Sequence, residues 1–151
     1  NGSIAQNLCY AALNRIGKGI NIDRKIERKM IEKQVSDLQI KVADTSYPIS
    51  VLSGGNQQKV AVGNWLNIDP EVMIFDEPSK GIDVNAKQQI FQIIWDQSRK
   101  GVSSILVSTE LEELLETCHR ILIMRNGKIT KEVDPKQMTV EDLYAVCMGE
   151  E

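Results

Sequence analysis

Two short stretches of the 151-residue sequence combine residue types suited to handling a phosphate. The first is Asp76-Glu77, set where the apolar run Val72-Met73-Ile74-Phe75 stops. An uninterrupted apolar run of this kind is expected of a strand covered on both faces. In open parallel sheets, ligands bind beyond the carboxyl ends of such strands. Two adjacent carboxylates there suit two tasks: one holds Mg²⁺, the other orients or deprotonates an attacking water. The same residues also read as a polar strand exit followed by a turn. The second stretch is Leu52-Ser53-Gly54-Gly55-Asn56-Gln57-Gln58. A serine and two glycines at a helix start expose backbone N–H groups and let an anion approach closely. The helix dipole adds about half a positive charge, so a phosphate is the natural guest. An ordinary capped helix with a glycine turn would use these residues too.

The elements that must position these groups follow from pattern. Ile4, Leu8, Ala11, Ala12 and Ile16 recur near helical spacing, and Gly17 and Gly19 end that segment. Asp23 can cap a second helix running to about Lys41, with a narrow apolar stripe of Ile26, Met30, Ile31, Val35 and Leu38. Its charge run, Asp23 to Lys33, reads as a solvated face. Thr45-Ser46-Tyr47-Pro48 is turn material, and Ser53 is an N-cap for a helix over 54–67, ended by Asn67 and Asp69-Pro70. Beyond Pro70 the rhythm changes to strand (72–75), helix (84–99), strand (104–108), short acidic helix (110–117) and strand (121–124). That alternation predicts a parallel α/β sheet. Asn126-Gly127 signals a type I′ turn, so 128–133 should return antiparallel, and Thr139 can cap a last helix through Cys147.

Composition narrows the class. At 42% hydrophobic and 26% charged, the chain is neither disordered nor fibrous. A net charge of −3 offers no basic field for nucleic acid. No apolar run approaches the roughly 20 residues needed to span a bilayer, and no charged-then-apolar leader opens the chain. Cys9, Cys118 and Cys147, an odd number without a CxxC, predict reduced thiols in a cytosolic protein.

Together the two stretches, in this order, closely resemble the nucleotide-binding cassette of ATP-binding cassette (ABC) proteins. Residues 52–58 look like its signature motif, 72–77 like the Walker B strand, and Gly81-Ile82-Asp83 like the D-loop. Residues 52–60, 76–84 and 120–129 are similar to the second cassette of bacterial ribose, galactose or xylose importers. The resemblance implies an α/β fold. Specifically, it implies a partial P-loop NTPase (ABC nucleotide-binding) fold, with a helical subdomain (1–70) and the C-terminal part of a mainly parallel sheet in the ATPase core (71–151). It implies ATP and Mg²⁺ as cofactors. Glu77 would polarise the hydrolytic water, and Asp76 would hold Mg²⁺ through water. Ser53, Gly54 and Gly55 would contact the γ-phosphate of ATP bound to another cassette head to tail, with Gln57 among the nucleotide-facing residues. Asp83 would couple the two sites. Partners would be that cassette, membrane permease subunits and, indirectly, a periplasmic sugar-binding protein, which places the chain in the cytoplasm, peripheral to the cell membrane.

Two departures qualify this picture. No G-x-x-x-x-G-K-[S/T] loop occurs, and Gly17-Lys18 lacks both the upstream glycine and the following hydroxyl. Together with Asn1 in place of Met, this predicts a C-terminal fragment of a longer ATPase, inactive in isolation. The family's switch histidine position holds Thr109, whose hydroxyl cannot become a cation. That leaves open a non-hydrolysing half that only donates its signature helix. A non-transport ABC ATPase is a further alternative, without the coiled-coil insertion or basic tail that would mark it. His119 beside Cys118 reads as a surface or strand-edge histidine more readily than as half of a metal pair. Trp65 and Trp95 read as packing residues. Tyr10, Ile20 and Ile22 form a weak apolar exposure that could meet a membrane subunit.

Overall fold

The helix predicted over 4–16 forms in three pieces: α1 (Ile4–Cys9), a 3₁₀ turn (Tyr10–Ala12) and α2 (Leu13–Ile16). The break has a cause in two distant asparagines. Asn67 Nδ2 donates to the Leu8 carbonyl at 2.8 Å, and the Ala11 N–H donates to Asn64 Oδ1 at 2.7 Å. A continuous α-helix would have kept both groups in its own ladder. The computed structural model describes residues 2–18 and 21–149. Ile20 and Gly19, invoked above, therefore lie outside the described residues. Contacts divide the chain into two units, Asn1–Met73 with Pro78–Ser103, and Ile74–Glu77 with Ser104–Glu151.

In the first unit, Gly17–Lys18 (β1) and Asn21–Ile22 (β2) pair antiparallel, a hairpin the pattern did not announce. Asp23 caps α3 (Arg24–Asp37) by accepting from the Lys25 and Ile26 N–H groups. This helix stops before the predicted Lys41 because Gln39 turns left-handed, at φ +50°. Its outer face carries the spaced ion pairs Arg24–Glu27, Arg28–Glu32 and Lys33–Asp37. Its inner face departs from expectation. Ile26 is exposed, whereas Gln34 is 2% exposed. The glutamine is buried because Asn67 Oδ1 accepts from its amide at 2.9 Å, which removes the penalty of an unpaired polar group.

Helix α4 (Gly54–Leu66) crosses α1 and α3 at Gly63, where an added Cβ would lie 2.9 Å from Leu38 and 3.0 Å from Leu8. Strand β3 (Val72–Asp76) follows, then α5 (Val84–Arg99), capped by Asp83 through the Ala86 N–H. Strand β3 pairs with β4 (Ser103–Val107). The Ser103 N–H donates to the Glu71 carbonyl, and the Glu77 N–H to that of Val107, so the two strands run the same way. The expectation that residues 72–75 are covered on both faces is not met. Burial alternates, with Met73 and Phe75 buried but Val72 and Ile74 exposed.

In the second unit, α6 (Leu111–Thr117) leads to β5 (Ile121–Arg125), which pairs with β6 (Lys128–Val133) through Asn126 and Gly127, both at positive φ. This is the hairpin predicted, but β5 does not extend the β3–β4 sheet as a third parallel strand. Its hydrogen bonds go to the adjacent return strand, which loop closure favours. Thr130 is the extra residue of a bulge and donates to the Ile123 carbonyl. Helix α7 (Val140–Met148) is fixed by a Thr139–Asp142 capping box. Ile121, Ile123 and Leu143 form the buried centre, ringed by Leu111, Leu114, Val133 and Val146.

Candidate functional site

Asp76 ends β3 exposed to solvent, and Glu77 follows it at φ +47°. A left-handed glutamate is uncommon, because its Cβ crowds the backbone. Here three contacts hold it. The Glu77 N–H bonds the Val107 carbonyl at 2.9 Å, Oε1 accepts from the Thr109 N–H at 3.0 Å, and Thr109 Oγ1 lies 3.4 Å from Oε2. The structure thus brings together Glu77 and Thr109, two residues singled out from positions far apart in sequence. The bend turns the carboxylate away from the line of the strand and fixes it on a backbone donor. The remaining lone pairs can still accept from a water. Beside it, one exposed carboxylate suits Mg²⁺, a hard cation that prefers oxygen and keeps several waters.

The Ser53 turn has a different construction. Ser53 is extended, as an N-cap should be, yet its side chain makes no capping bond to α4. The expected cap is therefore absent, and the reason is local. Asn56 Nδ2 donates to Ser53 Oγ at 3.0 Å, while Asn56 Oδ1 accepts from the Lys41 N–H at 3.0 Å. The first-turn N–H groups of α4 are left without a side-chain acceptor, a fitting arrangement for an anionic guest. Ser53 and Gly54 are exposed.

The two glycines have separate reasons. A Cβ at Gly55 would fall 2.4 Å from that of Ala86, so the start of α4 can meet α5 only through glycine. At Gly54 the nearest atom to an added Cβ would be Ile82 Cγ2 at 3.6 Å, so packing tolerates a side chain there. Asp83 caps α5 close to this turn, and Gln57 Nε2 bonds the Leu52 carbonyl at 2.8 Å, bracing the chain that enters α4.

Sequence reasoning overlooked Asn56 and Lys59. Lys59 is 4% exposed and donates to the Gln39 carbonyl at 3.2 Å. Burial, and then the nearby Lys41, lower its pKa. The only sequence signal was a lysine one turn after the glycines, a pattern shared with any surface helix.

Other candidates lie apart from chemistry. His119 is exposed in the bend before β5, and no group of three His, Cys, Asp or Glu able to hold a metal occurs among the described residues. The cysteines are free thiols, and Cys9 is pushed up to about 11 by burial and then by Glu27. Trp65, expected to pack, is 56% exposed, and Tyr10 is exposed as expected. Among the described residues, no helix is long and apolar enough to cross a membrane.

The sequence pattern of the ABC transporter family matches residues 2–80. Ribose import ATP-binding protein RbsA 1 of Mesorhizobium japonicum is 36% identical over 147 residues, covering 97% of this chain and 28% of that protein. Ribose import ATP-binding protein RbsA of Caldanaerobacter subterraneus is 39% identical over 150 residues, covering 99% of this chain and 30% of that protein. The structure of cbiO1 from Clostridium perfringens, part of the ABC transporter complex cbiONQ, matches with a TM-score of 0.73 at 21% identity. That match covers 97% of this chain and 55% of that one, a likeness of fold. The chain belongs to the ABC transporter family, and its α/β fold is part of the P-loop NTPase fold of ATP-binding cassettes. It spans about three-tenths of the length of the curated relatives it matches.

Proposed function

We propose that these residues form part of the ATP-hydrolysing subunit of a sugar importer of the ribose type, with residues 1–70 in its helical subdomain and 71–151 in its ATPase core. The observation that carries this reading is the left-handed Glu77, its carboxylate fixed on the Thr109 N–H at a strand's end. The import role is supported by the relatives' names. Glu77 accepts a proton from, or polarises, the attacking water, and Asp76 holds the water shell of Mg²⁺. The ion, when bound, supplies charge neutralisation at the phosphates. Ser53 and the first-turn N–H groups at Gly54 and Gly55 receive the γ-phosphate of ATP carried by another cassette, and Asp83 couples the two sites through the start of α5. Work of this kind is positioning and charge stabilisation. The subunit then sits at the cytoplasmic face of the cell membrane against permease subunits. The isolated chain, without a phosphate loop among its residues, neither binds nor hydrolyses ATP.

The test is Glu77→Gln in the full-length protein. Single-turnover hydrolysis at this half-site should fall by about a hundredfold or more, the scale of a lost general base, while ATP binding survives. Unchanged hydrolysis would remove Glu77 from the reaction. One observation favours a second reading, a cassette half that donates its signature helix without hydrolysing: Thr109 offers the phosphate a neutral hydroxyl, and that hydroxyl lies toward Glu77. Hydrolysis confined to the opposite site would establish it.

A further inference from the structure

The Ser, Thr and Asp residues that precede helical segments elsewhere in the described chain act as caps. Ser3, Asp23, Asp83, Asp134 and Thr139 each accept a first-turn N–H. Ser53 has the cap's backbone geometry but not its bond. Asn56 accounts for the difference, and the direction of its hydrogen bonds is fixed by chemistry. The Lys41 N–H can only donate, so the Asn56 oxygen must face it, at 3.0 Å. The amide nitrogen therefore faces Ser53 and donates to its oxygen, also at 3.0 Å. A hydroxyl that accepts from the amide keeps its own hydrogen for another partner.

The segment that supplies this anchor is itself tied to α4 a second time. Lys59 Nζ bonds the carbonyl of Gln39, the left-handed residue ending α3. Two bonds, from Asn56 and from Lys59, thus fix residues 39–41 along the first turns of α4. The Lys41 N–H is held as a rigid reference for the amide.

We propose that Asn56 is a positioning residue: it withdraws the Ser53 oxygen from capping α4 and aims the hydroxyl hydrogen outward as a donor to a phosphate oxygen. This rests on the reading that the Ser53 turn receives a γ-phosphate. Two things follow at once. The serine becomes a donor rather than an acceptor, and the N–H groups it would have capped stay available to the same anion.

The experiment is ATPase kinetics of the full-length protein in its transporter, with Asn56→Asp, Ser53→Ala and both together. Aspartate keeps the side chain's size, and one oxygen still accepts from Lys41. The other can only accept, so it draws the serine hydrogen back onto itself. The expected result is a fall in kcat/KM for ATP of about tenfold or more, the scale of a hydrogen bond to a charged group. Ser53→Ala should lose a similar factor, and the double variant should lose nothing further. Asn56→Ser, which removes both bonds without adding charge, keeps the test available should the aspartate variant fail to fold. Its loss should also vanish when Ser53→Ala is present. Wild-type kinetics for both Asn56 variants, or losses that multiply in the double variant, would overturn the proposal and leave the phosphate reading standing. Wild-type kinetics for Ser53→Ala would remove that reading, and the proposal with it.

Discussion

The helices of the first unit and the strands meet their apolar needs differently. Ile4, Leu8, Ile16, Val60 and Ile90 are wholly buried, all of them on helices of the first unit. Strands β3 and β5 bury every second residue and leave the others open, with Ile74 69% and Met124 66% exposed, while β4 and β6 bury none. Strand β5 shows both states within a few residues, with Ile121 and Ile123 packed beneath α7 while Leu122 and Met124 face outward. A helix needs cover along one stripe, which a neighbouring helix supplies, whereas a strand has two faces and needs two layers. Here β3 and β5 are each covered on one face. Apolar spacing therefore marked Ile4, Leu8 and Ile16 as buried but failed at Ile26 and Trp65, and on β3 it held for every second residue only.

The sharpest way to break this contrast is a pair of truncations followed by urea unfolding. Phe91→Ala, at a side chain 1% exposed on α5, should cost about 3–5 kcal/mol. Ile74→Ala, on the open face of β3, should stay within about 0.5 kcal/mol. Equal losses would mean the open face is covered in solution. Next in size is Asn67→Ala. It strips the Leu8 carbonyl and the Gln34 amide of their partner at once, and orphaned buried groups cost about 1–3 kcal/mol. The urea midpoint should drop with an unchanged slope, and a near-neutral result would show that water replaces the amide.

The smallest effect is expected at α7. The Thr139 N–H, bonded at 2.9 Å, and then its hydroxyl hold the Asp142 carboxyl below the usual carboxylate range. A carboxyl depressed in the folded state adds stability above its unfolded value of about 3.9. That contribution fades as pH falls through the lower folded value. Asp142→Asn should lower the Tm slightly at pH 7, and the difference should close at strongly acidic pH. A difference that grows on acidification would reverse the sign.

Much of this was legible locally. The caps Asp23 and Thr139 and the turn Asn126-Gly127 rest on interactions within a few residues, so their positions follow from sequence alone. Helix α5 occupies the predicted 84–99 for the same reason. The division of α1 from α2 was not legible, because asparagines more than fifty positions away cause it. Nor was the burial of Gln34, whose partner Asn67 lies on another element. At the candidate site the residue types Ser53, Gly54, Asp76, Glu77 and Thr109 could be picked out. The grip of Thr109 on Glu77 and of Asn56 on Ser53 could not.

Sequence by itself determined most of the elements, the family resemblance and the two stretches rich in phosphate-handling residues, since local spacing and side-chain chemistry encode all three. Tertiary structure alone decided which serine caps and which is held outward, why Gly55 must be glycine, and how a left-handed glutamate is held in place. Those outcomes depend on where Lys41, Ala86 and Val107 come to rest. Long-range packing sets such positions, and no periodicity in the chain records them.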